Sequence, residues 1–290
     1  LTSLFVLIAP AVVTLSVRYS KDIFFHIIRF LLSMSSAEIK NTYHTPAKEI
    51  SWISRHFPNL IFYKNMVSII VKAAGLAKKG RYSGEDWIVS SQNMMKALEN
   101  VGVKFHIENL EVLNKLKSPC VIAGNHMSVL ETLVLPGIIH PHQKFTFVVK
   151  KGLMDYPVFK HIMISRNPIF VDRVNPRTDL QNILSGGQER LSKDLSIMIF
   201  PQTTRIFDID PKTFNSIGVK LARRAEVPLI PLALKTDAWG IGKWLKDFGK
   251  INPSVKVHFS FGEPMTITGN GKHEHEKCLQ FISDKLESFD

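Results

Sequence analysis

The residues best suited to chemistry lie in one octet, Gly124-Asn125-His126-Met127-Ser128-Val129-Leu130-Glu131, which follows directly on a short apolar run, Val121 to Ala123. If the side chains of His126 and Glu131 meet, the carboxylate fixes the imidazole tautomer and stabilises the imidazolium, and the second ring nitrogen is left to take a proton. On one regular helix they do not meet, because five positions turn through about 500°, an offset of roughly 140°. They meet only if His126 precedes a helix and Glu131 falls in its first turn. Ser128 followed three positions later by Glu131 has the S-x-x-E form of a capping box, which sets the helix start there. The same box gives Glu131 a purely structural use, satisfying backbone N–H groups beside an ordinary loop histidine. The octet alone leaves both uses open.

Three further segments carry candidate groups: Ile169-Phe170-Val171-Asp172-Arg173, Phe200-Pro201-Gln202-Thr203-Thr204-Arg205 and Val227-Pro228-Leu229-Ile230-Pro231-Leu232-Ala233-Leu234. Arg173 alone reads as a surface ion-pair residue. The Thr203 and Thr204 hydroxyls, backbone N–H groups and the Arg205 guanidinium together suit a phosphate. The last segment is a buried strand with paired prolines.

In this order the four segments resemble the motifs of the glycerolipid acyltransferases, over roughly residues 100 to 265. The family's first motif is Asn-His, four residues, then Asp. Glu131 stands here in place of Asp, and a His, four residues, Glu spacing is also found in the lipid A acyltransferases. The third motif is commonly Phe-Pro-Glu-Gly-Thr-Arg, so Gln202 and Thr203 depart from it. The resemblance implies an O-acyltransferase of the 1-acylglycerol-3-phosphate or lysophospholipid type. Such an enzyme moves a fatty acyl group from a thioester, acyl-CoA or acyl carrier protein, to the hydroxyl of a lysophospholipid such as lysophosphatidic acid, in phospholipid biosynthesis or remodelling. It implies His126 as general base with Glu131 as its partner, Arg173, Thr203, Thr204 and Arg205 on the acceptor phosphate, and Asn125, Ser128 and Gln202 in support. The fourth motif is implicated in the acyl-chain side. Beyond the acyl donor no cofactor and no metal are implied. The departures at Glu131, Gln202 and Thr203 bear on the acceptor. They keep two other readings open: transfer to another membrane lipid, such as a lipid A-like acceptor or an ornithine lipid, and a noncatalytic lipid-binding protein of the same fold.

The elements that position these residues read as an α/β domain. Strands are expected at Val121 to Ala123, Phe145 to Val149, Ile169 to Val171, Ile197 to Phe200, Leu229 to Leu234 and Val255 to Phe261, with helices between them, as in a mixed sheet flanked by helices. Trp87, Ile88, Ser91, Met95 and Leu98 fall at helical spacing. Asn175-Pro176 is an N-cap with proline at the first helical position, followed by a stripe of Leu180, Ile183, Leu184 and Leu191. Phe214, Ile217, Leu221, Ala222 and Ala225 form a second stripe.

The chain has 290 residues, 45% of them hydrophobic, enough for one large domain with an appendage. The expected divisions are a hydrophobic segment over 1–34, a linker with a basic amphipathic helix over 35–84, and the catalytic domain over 85–290. Leu1 to Val17 carries no charge and reaches the short end of a membrane span, and Ile23 to Met34 is apolar but for His26 and Arg29. A span or an interfacial hairpin is the favoured reading, against a signal peptide or a core helix. Arg18 and Lys21 follow, which puts the remainder on the cytoplasmic face of the inner membrane if the segment inserts. Leu60 to Lys79 mixes apolar residues with Lys64, Lys72, Lys78 and Lys79, equally suited to a membrane surface or to an ordinary helix. The net charge of +12 points to anionic partners, here an anionic membrane surface. Without a zinc-finger spacing or RNP-like aromatics, nucleic acid is disfavoured. Cys120 and Cys278 read as buried hydrophobes. His273 and His275, two positions apart, do not have helical metal-ligand spacing. No G-x-S-x-G or catalytic-cysteine signature supports a covalent acyl-enzyme.

Overall fold

The computed structural model describes residues 42–289 apart from 203, 208 and 243–245. The stretches Leu1–Val17 and Ile23–Met34 lie outside the described residues. The strands are β1 (Tyr43–His44), β2 (Phe105–Glu108), β3 (Val121–Gly124), β4 (Phe145–Lys150), β5 (Ile169–Val171), β6 (Ser196–Ile199), β7 (Leu229–Lys235) and β8 (Val257–Phe261). They form one sheet in the order β1-β2-β8-β7-β3-β6-β4-β5. The run from β7 to β5 is parallel; β8 is antiparallel to β7, β2 is parallel to β8, and β1 is antiparallel to β2. This is the mixed sheet that the sequence led us to expect. Strand β2 was not anticipated, because four residues alternating Phe105, His106, Ile107, Glu108 give too short a period-2 signal to separate from a turn.

The helices are α1 (Trp52–His56), α2 (Pro58–Lys78), α3 (Gly84–Glu99), α4 (Glu111–Lys115), α5 (Leu130–Ile139), α6 (Pro157–Ser165), α7 (Pro176–Leu191), α8 (Ile217–Ala225) and α9 (Lys272–Ser288). Strand β7 divides the core between them. Ile230, Leu232 and Leu234 point into one apolar cluster with residues of α2, α3 and α5, while Leu229 and Ala233 point into another with α7, α8 and α9. A central strand covered on both sides is apolar throughout, which is why its alternation is invisible in sequence.

Residues 42–84 contain α1 and α2. Pro58, whose ring suits the first helical turn, opens α2, and Phe62, Met66, Ala73 and Ala77 bury one face of it. Ser83 and Asp86 cap α3 reciprocally, the Ser83 hydroxyl accepting from the Asp86 N–H at 3.1 Å and the Asp86 carboxylate accepting from the Ser83 N–H at 2.9 Å. Helices α3 and α5 then approach closely: a Cβ on Gly137 would stand 3.0 Å from the Gln92 nitrogen. Ser91 Oγ binds there to the Leu133 carbonyl and accepts from the Gly137 N–H, both at 2.7 Å, re-pairing backbone groups beside Pro136, which has no N–H to give. That contact fixes α5, the helix that carries Glu131.

Candidate active site

β3 ends at Gly124, where a Cβ would meet the Leu232 carbonyl oxygen at 3.0 Å and the Met198 methyl at 3.0 Å. Only glycine lets the chain leave the sheet so close to its neighbours. Asn125 prolongs the pairing with its side chain, Nδ2 donating to the Leu234 carbonyl at 2.7 Å and Oδ1 accepting from the Leu234 N–H at 2.9 Å. The residue is fully buried, and both of its amide atoms are satisfied.

His126 follows with its backbone held from the third motif. Its N–H donates to Gln202 Oε1 at 2.8 Å, and its carbonyl accepts from the Ile206 N–H at 2.9 Å. The ring stacks on Phe200, with centroids 4.3 Å apart and planes at 16°. Its Nδ1 lies 2.8 Å from Glu131 Oε1. Helix α5 begins at Leu130, so Glu131 sits in its first turn and His126 outside it, the one arrangement that lets them meet.

Glu131 is 0% exposed and accepts from every side. Oε1 takes the Met127 N–H at 2.7 Å and the Ser128 N–H at 2.9 Å; Oε2 takes the Thr236 hydroxyl at 2.6 Å, with Ser128 Oγ at 2.9 Å. Burial pushes its carboxyl pKa up, but the hydrogen bond and charge of His126, the Thr236 hydroxyl and backbone donors outweigh it and hold the group below the usual range. An ionised carboxylate has no proton to give, so the shared proton is on Nδ1, and whenever the ring is neutral the lone pair is on Nε2. The same carboxylate thus meets the His126 ring and satisfies the backbone N–H groups of Met127 and Ser128. The capping box itself is incomplete: Ser128 Oγ accepts from the Leu130 N–H at 3.1 Å.

Gln202 is 1% exposed, and its Nε2 has no hydrogen-bond partner among the described residues. The role visible for this position, accepting from the His126 N–H, needs an oxygen and no charge, so an amide serves it. Thr203 lies outside the described residues, and Thr204 is exposed. Arg205 is ion-paired with Asp247. Arg173 has left-handed backbone (φ 60°), held by Asp179, whose carboxylate oxygens accept from the Asp172 N–H at 2.9 Å and the Arg173 N–H at 2.7 Å. Burial lowers the Arg173 pKa; Asp179 opposes this and the charge of Arg205 adds to it, so the two guanidiniums lie within electrostatic reach of each other. Sequence reasoning missed Thr236, Asp247 and Asp179. Thr236 closes the fourth-motif strand and was findable only as the residue after it; Asp179 is a first-turn acid of α7; Asp247 carries no local signal.

This arrangement is a parallel-cored sheet with a buried carboxylate against a strand-end histidine, and residues 103–235, which contain both, match the family model described as Acyltransferase. More narrowly, its relatives include a 1-acyl-sn-glycerol-3-phosphate acyltransferase of Pseudomonas aeruginosa, 32% identical over 171 residues that cover 59% of this chain and 62% of that protein. An acyltransferase of Schizosaccharomyces pombe described as uncharacterized is 27% identical over 226 residues, 75% of this chain and 78% of that one. The chain therefore spans about three fifths of the Pseudomonas relative. The crystal structure of the 1-acyl-sn-glycerophosphate (LPA) acyltransferase from Thermotoga maritima shares the fold, with a TM-score of 0.57 at 18% identity over 81% of this chain and 96% of that one.

Proposed function

We propose that this protein transfers a fatty acyl group from an acyl thioester to the hydroxyl of a lysophospholipid, with lysophosphatidic acid the leading acceptor. The observation that carries this reading is the 2.8 Å contact of His126 Nδ1 with the ionised Glu131, which leaves Nε2 as the base. In the proposed step Nε2 removes the acceptor's hydroxyl proton as its oxygen attacks the thioester carbonyl. Glu131 stabilises the imidazolium that forms, and the proton then passes to the departing thiolate. Arg173 and Arg205 hold the acceptor phosphate, which competes with Asp247 for Arg205. The donor is acyl-CoA or acyl carrier protein, and the product serves phospholipid biosynthesis or remodelling.

The acceptor is a membrane lipid, and the outer side of α1 and α2 supports docking at a bilayer. Trp52, Ile53, Phe57, Leu60, Val67 and Val71 are exposed, with Lys64 and Lys72 among them. Among the described residues α2 is also the one helix long and apolar enough to span a membrane, although one of its faces is packed on the domain. Arg18 and Lys21 after the first apolar stretch favour the cytoplasmic face of the inner membrane. The test is incubation of purified protein with a panel of lysolipids and labelled acyl-CoA or acyl carrier protein, with products identified by mass. An acylated phosphate-bearing lysolipid is expected. Acylation of only an ornithine lipid or a lipid A-like acceptor refutes the acceptor assignment, and no transfer at all refutes the enzyme.

A further inference from the structure

A second polar cleft lies on the opposite face of the sheet from α5. In β8, Val257, Phe259 and Phe261 point into the cluster shared with α5, so His258 and Ser260 point the other way. His44, His106 and His258 are direct cross-strand partners on β1, β2 and β8, and form a row on that second face. The ring centroids of His44 and His106 are 4.0 Å apart, those of His106 and His258 5.3 Å, and Phe289 closes the row on His258 at 4.6 Å. Lys104 and Lys256, each two residues before a histidine on its own strand, extend the same face, and Lys285 reaches in from α9. The cleft so lined has a volume of about 430 Å³, within the ~300–1,000 Å³ typical of small-molecule sites.

Its chemistry selects an anion. Three ammonium groups face one carboxylate, Glu108, which is already engaged by Lys285 at 2.9 Å, Ser260 Oγ at 3.1 Å and His106 at 3.3 Å. His258 is 6% exposed, and its Nε2 has no hydrogen-bond partner among the described residues, although it lines a polar cleft. A buried ring nitrogen without a partner is a rarity that a bound ligand explains. The lysines repel a cation, and no group of three His, Cys, Asp or Glu among the described residues is placed to hold a metal ion. Burial, then the neighbouring positive groups, lower the pKa values of His106 and His258, so at neutral pH both rings are uncharged; the one N–H of His106 is turned to Glu108, and His258 is left able to donate one hydrogen bond. A tetrahedral dianion accepts from several directions at once, which matches donors arriving from Lys104 just before β2, from β8 and from α9. The volume leaves room for the group that carries it.

We propose that the cleft between β1, β2, β8 and the end of α9 is a second ligand site, for a phosphomonoester, separate from the His126 centre. The ligand is either a soluble phosphomonoester or the headgroup of an anionic lipid. The full chain is titrated calorimetrically with inorganic phosphate and phenyl phosphate, and co-sedimented with phosphatidylcholine vesicles with and without phosphatidic acid. Each assay is repeated on Lys104→Met and Lys256→Met, on Lys212→Met as an exposed charge-matched control, and on Arg205→Ala, which weakens the first site. Lys104 and Lys256 are exposed, so their replacement leaves the fold intact. At least one probe is expected to bind saturably, tenfold or more weakly in Lys104→Met and Lys256→Met, and unchanged in Lys212→Met. Binding of the soluble probes identifies a soluble ligand, and binding confined to phosphatidic acid vesicles identifies a lipid headgroup; either sustains the site. Failure of every probe to bind, indifference to both lysine substitutions, or loss of binding in Arg205→Ala alone overturns it.

Discussion

Nδ1 of His126 and Oε1 of Glu131 stand 2.8 Å apart, and the same oxygen accepts from the Met127 N–H at 2.7 Å. One atom therefore both shapes the loop and orients the His126 ring. Glu131→Gln separates these uses, because the amide oxygen still accepts while the charge that stabilises imidazolium is gone. We expect kcat to fall by about 10²–10⁴-fold with the fold retained by circular dichroism. Turnover within a few-fold of wild type would remove Glu131 from the proposed mechanism.

The depressed carboxyl pKa of Glu131 also gives stability a pH dependence. Its folded pKa lies below the ordinary carboxylate value, so its contribution is complete above that value and disappears as pH falls through the folded pKa. The difference between thermal melts of wild type and Glu131→Gln should be largest near neutrality and shrink as pH falls below the ordinary carboxylate range. A gap that stays constant across that window contradicts the assignment.

His258 works in the opposite direction. Burial, then His106, Lys235 and Lys256, bring its folded pKa down to about 4. A histidine held neutral costs nothing above its unfolded pKa of about 6.5, and destabilises progressively as pH falls toward 4, by up to roughly 1.4 kcal/mol per unit. His258→Gln should flatten the stability profile between these limits in urea titrations. An unchanged slope in that variant counts against the buried neutral ring.

Asn125 is the joint between β3 and β7. Asn125→Ala leaves the Leu234 N–H and carbonyl unpaired in the core, at a cost of about 1–3 kcal/mol for each group. Denaturant unfolding should show a loss of several kcal/mol, and a change under about 1 kcal/mol would mean that water replaces the side chain.

Gln202 accepts from the His126 N–H and needs only an oxygen for it. Gln202→Glu keeps that oxygen and should hold kcat within a few-fold, whereas Gln202→Leu should lower it by about tenfold or more. Equal activities in the two variants would show that the contact does not position the base. At the other end of the motif, Arg205→Ala should raise KM for phosphate-bearing acceptors by about tenfold or more, and unchanged acceptor saturation would exclude phosphate binding there.

What the sequence discloses about this molecule follows the range of each interaction. The meeting of His126 with Glu131 was legible because it depends on a helix start four residues away, announced by Ser128. Six of the eight strands were legible because they are apolar runs between turn residues. Helix α2 was legible as a helix, but Lys64 and Lys72 on its exposed side hid the packing of its other face, which Phe62 and Met66 anchor. The charge-bearing partners Asp179 and Asp247, and the hydroxyl of Thr236, were not legible, since nothing local distinguishes a residue whose partner is brought to it by the sheet.

The bonds around His126 close long loops: Gln202 is 76 residues away, Thr236 meets Glu131 across 105, and Leu234 meets Asn125 across 109. Contacts of such separation form late, after the entropy of bringing distant segments together has been met. The histidine therefore acquires its tautomer and its orientation only when β3, β6 and β7 are assembled. A nascent or partly unfolded chain would carry the imidazole without this set of partners, so the arrangement arrives together with the finished sheet.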